Sequence, residues 1–406
     1  MTHQIQTATQ KLVGEITLNG SKSISNRVLI LRALMESVFP IKGLSNAKDT
    51  TTLDRMLKNL DNPLLDAEDA GTTYRFMTAY LAYLGTNQVL MGSKRMCERP
   101  IGILVDALNE LGANVYYLGR EGYPPIQIQS EPKSMKGGPL KIGAGVSSQY
   151  ISALLMIAPL LPQGLELELD GEIVSRPYIQ MTLNLMAYFD IVYLWSGNLI
   201  KVPAQDYTPK EFQVEADWSA ASYYYTLAAL SDKVNLQLNG LYKDSVQGDA
   251  IIVDIMENFG ILTKFNKKGV RLSKKTTPIE SFEYNFTNCP DLAQTVAVLC
   301  AALDIPAHLT GLQTLTIKET DRIAALKTEL EKLGAEVVCT ERSLSIKKGI
   351  DFNIVPPMLE TYKDHRMAMA FAPLVLKYKE LNFDAKDVVN KSYPEFWNDL
   401  DKVLNT

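Results

Sequence analysis

Lysines, arginines and carboxylates recur in this sequence beside small polar residues, in short segments that lead into apolar runs. The clearest segments are GSKSISNR at 20–27, SSQ at 147–149, IKETDRI at 317–323 and KDHRMAM at 363–369. Guanidinium and ammonium groups bind phosphate and carboxylate through charge-assisted hydrogen bonds, and a nearby Asp or Glu can move protons. These residue types therefore predict the binding of small anions, and the carboxylates suit acid–base work only if they lie on opposite faces of the bound molecules.

Several of these residues also have ordinary structural interpretations. The serines and glutamine at 147–149 could cap a helix or could hydrogen-bond phosphate oxygens. Asp291 precedes an apolar run and is a plausible N-cap for a helix from Leu292 onward. Glu319 stands three residues before Arg322, the spacing of a surface ion pair on a helix, and His365 fits a capping or core position.

The overall charge of the chain decides how such a site must be built. The 406 residues carry a formal net charge of -5, and the isoelectric point is about 5.5. No global positive field exists to attract nucleic acid, so no nucleic-acid partner is expected. Any anion site must therefore be formed by a local cluster of positively charged side chains.

The cysteines and histidines argue against a metal centre. The four cysteines have no paired spacing, and the three histidines form no H-E-x-x-H motif. We therefore expect no metal, no cofactor and a reducing compartment, the cytoplasm. Neither a signal-peptide run nor a stretch of the ~18–20 apolar residues that span a bilayer occurs, so no membrane association is expected.

One order of elements recurs along the chain, namely an amphipathic helix, a strand, a turn and a second strand. Such helices are predicted to begin near residues 99, 176, 248 and 318. Pro100 suits the first turn of the first of them. The second is predicted to run from Pro177 to Phe189, with a strand at 191–194, and the fourth from Lys318 to Leu333.

A second kind of helix is apolar nearly all round and begins with small polar residues. Six are predicted, starting at Ser23, Gly71, Ser147, Ser219, Asp291 and Asp364. Helices that are hydrophobic on every face must be buried, and six of them suggest six repeats, three in each of two lobes. Their N-termini carry partial positive charge, so several that face one cleft would trap anions.

Ten motifs in order resemble one enzyme family. They are GSKSISNRVLILRAL, DAGTTYR, KRMCERPIGILVDAL, SSQYISALLM, GEIVSRPYI, VEADWSAASYY, PDLAQTVAVL, IKETDRI, YKDHRMAM and NKSYP. Together they resemble the 3-phosphoshikimate 1-carboxyvinyltransferases, also called 5-enolpyruvylshikimate-3-phosphate (EPSP) synthases. The resemblance extends from Gly20 to about Leu400, nearly the whole chain.

The resemblance implies a two-domain, inside-out α/β barrel in which each lobe has three βαβαββ repeats around buried helices. One lobe would comprise residues 1–20 and 217–406, on the phosphoenolpyruvate and catalytic side. The inserted lobe would comprise residues 21–216, on the shikimate 3-phosphate side. The 5-hydroxyl of shikimate 3-phosphate would attack C2 of phosphoenolpyruvate while C3 is protonated, and the intermediate would then lose phosphate.

The resemblance also assigns roles to individual residues. Those expected to act in catalysis are Asp291 as base, Glu319 in proton transfer at C3, and Lys22, Lys318 and His365. Those expected to hold shikimate 3-phosphate are Lys22, Ser23, Arg27, Ser147, Ser148, Gln149, Ser175, Tyr178, Asp291 and Lys318. Those expected to hold phosphoenolpyruvate are Lys22, Gly71, Arg99, Gln149, Arg322, Arg366 and Lys391.

Three positions depart from the family pattern. Asp69 replaces the usual Asn of an N-x-G-T motif, and a carboxylate there would repel phosphoenolpyruvate unless a cation such as Arg99 neutralises it. Phe76 stands where a Pro is common, and Thr314 where many members have Asn. These changes are expected to tune affinity, since they touch no residue assigned to proton transfer.

Two other functions compete with this one. The sister enolpyruvyl transferase that acts on a uridine-diphosphate amino sugar has a reactive Cys five residues before the Arg of its RP motif, where this chain has Lys94. An inactive anion-binding module is disfavoured because Asp291 and Glu319 are both present. We expect a monomeric enzyme whose partners are its two small substrates.

Overall fold

The computed structural model describes residues 2–145 and 147–405. The chain divides into two compact units. The terminal unit comprises Met1–Ser21 and Glu215–Thr406, and the inserted unit comprises Lys22–Val214.

In chain order, the terminal unit opens with strands β1 (His3–Gln6) and β2 (Lys11–Thr17). The inserted unit follows with α1 (Lys22–Leu34), β3 (Ile41–Lys42), α2 (Lys48–Leu57), β4 (Leu64–Asp66), α3 (Gly71–Leu84), β5 (Asn87–Met91), α4 (Lys94–Cys97), α5 (Gly102–Glu110), β6 (Val115–Tyr117), β7 (Ile126–Gln129), β8 (Gly138–Gly143), α6 (Ser148–Ile157), β9 (Leu165–Asp170), α7 (Arg176–Tyr188), β10 (Leu194–Ser196), β11 (Leu199–Val202) and β12 (Phe212–Gln213). The terminal unit then continues with α8 (Trp218–Leu230), β13 (Lys233–Asn239), α9 (Ile252–Glu257), β14 (Ile261–Asn266), β15 (Gly269–Lys274), β16 (Phe282–Asn285), α10 (Ala293–Ala302), β17 (Ala307–Thr310), α11 (Arg322–Lys332), β18 (Glu336–Cys339), β19 (Ser343–Lys348), α12 (His365–Phe371), α13 (Val375–Tyr378), β20 (Glu380–Phe383) and α14 (Phe396–Leu404). Short 3₁₀ turns lie at Ala158–Leu160, Gly248–Ile251, Phe286–Asn288, Pro290–Leu292, Gln313–Ile317, Ala372–Leu374 and Asp387–Lys391.

Four four-stranded sheets share one topology. The inserted unit has β4-β5-β7-β6 and β10-β11-β9-β8, and the terminal unit has β14-β15-β13-β2 and β16-β17-β19-β18. In each sheet two strands pair in parallel with a buried helix directly before the second of them, and an amphipathic helix then leads into an antiparallel hairpin. Between β2 and β13 the chain also passes through the whole inserted unit. The predicted α/β class and βαβαββ repeat are thus confirmed, although the third sheet of each unit, β12-β3 or β1-β20, has only two strands.

The six helices predicted to be buried are buried. They are α1, α3 and α6 in the inserted unit, and α8, α10 and α12 in the terminal unit. Within the inserted unit all three contact one another, and within the terminal unit α10 contacts both α8 and α12. Apolar side chains on every face leave burial as the stable outcome, so the helices form the interior and the sheets cover them.

Some predicted boundaries are wrong, and two of them have a clear local reason. Helix α11 begins at Arg322 rather than Lys318, because the Asp321 carboxylate accepts the amide protons of Ile323 and Ala324, both at 3.1 Å. Helix α5 begins at Gly102, beyond Pro100. The strand predicted at 191–194 begins only at Leu194, because left-handed Asp190 (φ 68°) ends α7 and Ile191 still donates to the Met186 carbonyl.

Candidate active site

Arg27 lies where three helices of the inserted unit meet. Its Nε donates to Thr182 Oγ1 at 2.7 Å on α7, and its Nη2 donates to Ser152 Oγ at 3.1 Å on α6. Its Nη1 donates to the Ser23 carbonyl at 2.9 Å and Nη2 to the Tyr178 carbonyl at 3.3 Å. All of these acceptors are neutral, so they orient the guanidinium without balancing its charge.

Burial has an electrostatic consequence for this guanidinium. Arg27 is almost completely buried, and the resulting desolvation lowers its pKa to about 10. The ring of Phe76 lies beneath it, with its centroid 5.4 Å from the Arg27 Cζ, which is a cation–π distance. Phe76, which stands where the family commonly has Pro, therefore has a structural role here, because its ring stabilises the buried Arg27 cation. An anion would complete the charge balance.

The starts of α6 and α7 carry the polar residues predicted for the same region. Ser147 caps α6, its side chain accepting from the Gln149 amide at 3.2 Å, so the capping interpretation of Ser147 is confirmed. Gln149 Nε2 also donates to Thr72 Oγ1 at 3.0 Å on α3. Ser175 precedes α7 with a left-handed backbone (φ 56°), an unusual conformation for a residue with a side chain, and Ser148 and Ser175 are both buried.

A pair of guanidiniums lies at the start of α3. A Cβ at Gly71 would lie 2.6 Å from Nη1 of Arg99 and 2.9 Å from Nη1 of Arg75, so only glycine permits this approach. Arg75 donates to the carbonyls of Gly71 at 3.0 Å and Pro100 at 3.1 Å. Burial and the neighbouring Arg99 charge lower the pKa of Arg75 to about 10. Two buried guanidiniums therefore lie side by side at this helix start.

Two carboxylates accompany the cations of the inserted unit. Lys22, the first residue of α1, has its Nζ 3.2 Å from Oδ2 of buried Asp49 in the first turn of α2. Asp69, the departure from the family pattern, accepts a short hydrogen bond from Ser93 Oγ. Lys22 is thus held by a carboxylate of the protein.

Arg322 organises the second group of predicted residues, which lies in the terminal unit. Its Nε is 2.7 Å from Asp364 Oδ2, its Nη1 is 3.1 Å from Asp291 Oδ1 and its Nη2 is 3.0 Å from Glu319 Oε2. Burial alone would lower the pKa of Arg322, but Asp364, Glu319 and Asp291 raise it above its ordinary value. One buried cation therefore holds three carboxylates in fixed positions.

Asp291 does not cap a helix, contrary to one of the sequence interpretations. It lies in the 3₁₀ turn Pro290–Leu292, and α10 begins at Ala293 without a side-chain cap. Its Oδ2 is instead 2.9 Å from Arg366 Nη2, and its Oδ1 is 3.8 Å from Lys318 Nζ. Burial acts to raise the pKa of Asp291, but Arg366, Lys318 and Arg322 overcome this and bring the pKa well below its usual range.

Glu319, Lys391 and His365 lie in the same group. Glu319 Oε1 is 3.7 Å from Lys391 Nζ, and because α11 begins later, Glu319 is not on a helix as its surface-pair interpretation required. His365 is buried at the start of α12, with its Nδ1 3.4 Å from Asp364 Oδ1. The terminal unit therefore brings together Asp291, Lys318, Glu319, Arg322, His365, Arg366 and Lys391.

Sequence reasoning assigned no role to several residues that complete these groups. Ser152 and Thr182 stand one helical turn after Ser148 and Tyr178, so an i, i+4 search from the predicted residues would have found them. Asp249 does not stand at such a helical spacing from any predicted residue, so the sequence did not indicate it. It is buried, it accepts a short hydrogen bond from Ser219 Oγ, and burial together with the Asp291 charge raises its pKa to about 6.

Among residues 2–145 and 147–405, His, Cys, Asp and Glu side chains form no group of three that could hold a metal ion. In the same ranges, every helix is too short or too polar to cross a bilayer.

Comparisons with known proteins match one enzyme family along nearly the whole chain. A family model described as EPSP synthase (3-phosphoshikimate 1-carboxyvinyltransferase) matches residues 6–63 and 61–400. The 3-phosphoshikimate 1-carboxyvinyltransferase of Bacteroides fragilis strain YCH46 is 46% identical over 400 residues, covering 98% of this chain and 96% of the relative. That of Cellvibrio japonicus is 36% identical over 421 residues, covering 97% of each chain.

A solved structure supports the fold. The EPSP synthase of Acinetobacter baumannii superposes with a TM-score of 0.78 at 18% sequence identity, covering 99% of this chain and 98% of that one. At this identity the likeness concerns the fold alone, and it agrees with the repeated βαβαββ topology described above.

Proposed function

The chain belongs to the EPSP synthase family, which transfers the enolpyruvyl group of phosphoenolpyruvate to the 5-hydroxyl of shikimate 3-phosphate, and we propose which of its residues carry that reaction. The observation that best supports this proposal is that buried Arg322 pairs with both carboxylates assigned to proton transfer. Its guanidinium nitrogens lie 3.1 Å from the Asp291 carboxylate and 3.0 Å from the Glu319 carboxylate. Two carboxylates on different nitrogens of one guanidinium can serve two different proton transfers in a single reaction.

Shikimate 3-phosphate is proposed to bind chiefly through the inserted unit. Arg27 is buried with neutral partners only, so a phosphate would supply the missing negative charge. The other residues proposed to contact this substrate are Lys22, Ser23, Ser147, Ser148, Gln149, Ser175, Tyr178, Asp291 and Lys318.

Phosphoenolpyruvate is proposed to bind Arg322, Arg366 and Lys391 together with Lys22, Gly71, Arg99 and Gln149. In the terminal unit these cations already have carboxylate partners, so an anion must compete with Asp291 and Glu319 for them. That competition would withdraw positive charge from Asp291 and raise its pKa towards the ordinary value. We propose that Asp291 thereby becomes a better base when phosphoenolpyruvate is bound.

The remaining roles follow from position. Asp291 would take the proton of the 5-hydroxyl as its oxygen bonds to C2, and protonated Glu319 would deliver a proton to C3. Return of a C3 proton to the Glu319 carboxylate would then expel phosphate and leave the enol ether, with Lys22, Lys318 and His365 in support. Positive groups fixed before the reaction stabilise charge that develops in the transition state. The reaction needs no metal in this scheme, because the addition and the loss of phosphate are both driven by proton transfer.

We also propose that the enzyme acts as a monomer in the cytoplasm. All four cysteines are free thiols, as expected in a reducing compartment. Light scattering after gel filtration would test the oligomeric state, and a dimer mass would contradict the monomer.

The decisive experiment measures phosphate release from purified protein with both substrates present. We expect release that requires both substrates and gives one enol ether product per phosphate, identified by mass spectrometry. Binding of both substrates without release would support the inactive anion-binding module instead. Turnover with a uridine-diphosphate amino sugar in place of shikimate 3-phosphate would support the sister transferase.

A further inference from the structure

Glu329 is a buried carboxylate outside the group of predicted residues. It lies on α11, two turns after Arg322, and its side chain is fully buried. Its Oε1 accepts from Tyr362 OH at 2.7 Å and from Lys332 Nζ at 2.7 Å, and its Oε2 accepts from the Glu360 amide at 3.2 Å. Burying a carboxylate is unfavourable unless it is paired, so these contacts are tightly constrained.

The segment that Glu329 contacts has a strained backbone. Tyr362 and Lys363 have φ values of 53° and 55°, so two consecutive residues with side chains adopt the left-handed conformation. Such residues persist only where the surroundings hold them, and they cluster at functional sites. The segment is also held by the Thr361 amide, which donates to Asp384 Oδ1 at 2.8 Å.

The strained residues directly precede Asp364, His365 and Arg366. Helix α11 contacts this stretch twice, through Arg322 to Asp364 at 2.7 Å and through Glu329 to Tyr362. Two contacts, at either end of the stretch 362–364, fix its position against α11. Both contacts therefore bear on the backbone that leads into Arg366, whose guanidinium also contacts Asp291 and Tyr223.

We propose that Glu329 is a positioning residue that, through the Tyr362 hydroxyl, sets the spacing of the Arg322 and Arg366 guanidiniums for one anionic substrate. This inference rests on the proposed function, in which both arginines hold phosphoenolpyruvate. The Tyr362 hydroxyl is protonated at neutral pH, as any tyrosine is, and burial and the adjoining Glu329 carboxylate raise its pKa further. The residues proposed to hold the phosphate of shikimate 3-phosphate lie on the inserted unit, so its binding should depend less on this contact than the binding of phosphoenolpyruvate.

The test compares Tyr362→Phe with wild type in steady-state kinetics. This variant deletes only the hydroxyl, and Glu329 keeps Lys332 and the Glu360 amide as partners, so the protein should still fold. We expect KM for phosphoenolpyruvate to rise about tenfold, the low end of the effect of one lost hydrogen bond to a charged group, with a smaller change in KM for shikimate 3-phosphate. Glu329→Gln retains an oxygen that accepts from the Tyr362 hydroxyl, and should show a smaller rise.

Glu331→Gln is the matched control, because Glu331 is an exposed residue of the same helix whose partner is Lys327. It should leave both KM values unchanged. A lower melting temperature of Tyr362→Phe with wild-type KM for phosphoenolpyruvate would overturn the proposal, since the contact would then serve stability alone.

Hydrogen exchange of the backbone amides at 361–366 tests the same contact without reference to activity. Faster exchange in Tyr362→Phe supports the positioning role, and unchanged exchange overturns it. If wild-type protein releases no phosphate from the two substrates, the proposed function fails, while the exchange result still decides whether Glu329 holds this segment.

Discussion

Oδ2 of Asp291 lies 2.9 Å from Nη2 of Arg366, and the Arg366 Nη1 also donates to the Asp291 carbonyl at 3.2 Å. The contact joins the carboxylate proposed as base to a cation proposed to hold phosphoenolpyruvate. If both proposed roles hold, this pair links substrate binding to proton transfer, because an anion that attracts Arg366 changes the charge around Asp291.

Replacing Asp291 with Asn should separate binding from turnover. The amide keeps the shape of the carboxylate but cannot act as a base, so we expect phosphate release to fall by at least about 100-fold, within the usual contribution of general base catalysis. Both substrates should still bind in equilibrium titrations. Removal of the negative charge beside Arg366 should leave the affinity for phosphoenolpyruvate unchanged or higher. Turnover near the wild-type rate would place the base elsewhere.

Arg27→Met should abolish the capture of shikimate 3-phosphate without unfolding the protein. Methionine fills similar volume, and Thr182 Oγ1 keeps its bonds to Ser152 Oγ at 2.8 Å and to the Tyr178 carbonyl at 3.1 Å. Loss of a buried cation also removes a desolvation penalty, so the melting temperature without substrate should not fall.

The measurement for Arg27 is the rise in melting temperature on adding shikimate 3-phosphate. We expect this rise in wild type and in Arg32→Met, a control on the same helix whose guanidinium is partly exposed. It should disappear in Arg27→Met. An undiminished rise in Arg27→Met would remove Arg27 from the phosphate site.

Gly71→Ala should weaken phosphoenolpyruvate binding selectively. The added Cβ would lie 2.6 Å from the Arg99 guanidinium, so this side chain must move away from its present position. We expect KM for phosphoenolpyruvate to rise at least about tenfold, roughly the 1.4 kcal/mol of one weakened charge-assisted contact, with little change for shikimate 3-phosphate. Gly119→Ala is the control, because nothing lies within 4 Å of a Cβ there. Equal KM values for phosphoenolpyruvate in the two variants would contradict a role for the close approach of Arg99 to Gly71.

Asp249 should make stability fall as pH rises between about 4 and 6. Its pKa is raised from 3.8 to about 6 in the folded protein, so in this window the folded state binds more protons than the unfolded state. Stability therefore decreases with pH, by up to about 3 kcal/mol across the window, because each pH unit between the two pKa values contributes about 1.36 kcal/mol.

Asp249→Asn should remove that contribution, so the variant gains stability over wild type progressively from about pH 4 to about pH 6.5. Denaturant unfolding at several pH values measures the difference. Asp254→Asn is the control, because it removes the carboxylate of an exposed residue on α9 that lies close to Asp249 in the sequence. A stability difference for Asp249→Asn that does not vary with pH would contradict the shifted titration.

Much of this protein could be predicted from local sequence. The six buried helices were identified correctly because a helix that is apolar on every face has no stable alternative to burial. The repeated element order and the family motifs predicted the fold class, the family and the reaction, all of which are confirmed. The roles of individual site residues remain predictions.

Side-chain partnerships were decided only by the tertiary structure. Asp291 was open to interpretation as a helix cap, whereas its actual partner Arg366 stands 75 residues away in the chain. Arg27 similarly meets Thr182 and Ser152 across 155 and 125 residues. Hydrophobic periodicity is a property of neighbouring residues and is visible in a sequence. The partner of a buried charge depends instead on which helices pack together, and only the folded chain brings those side chains within a few ångströms.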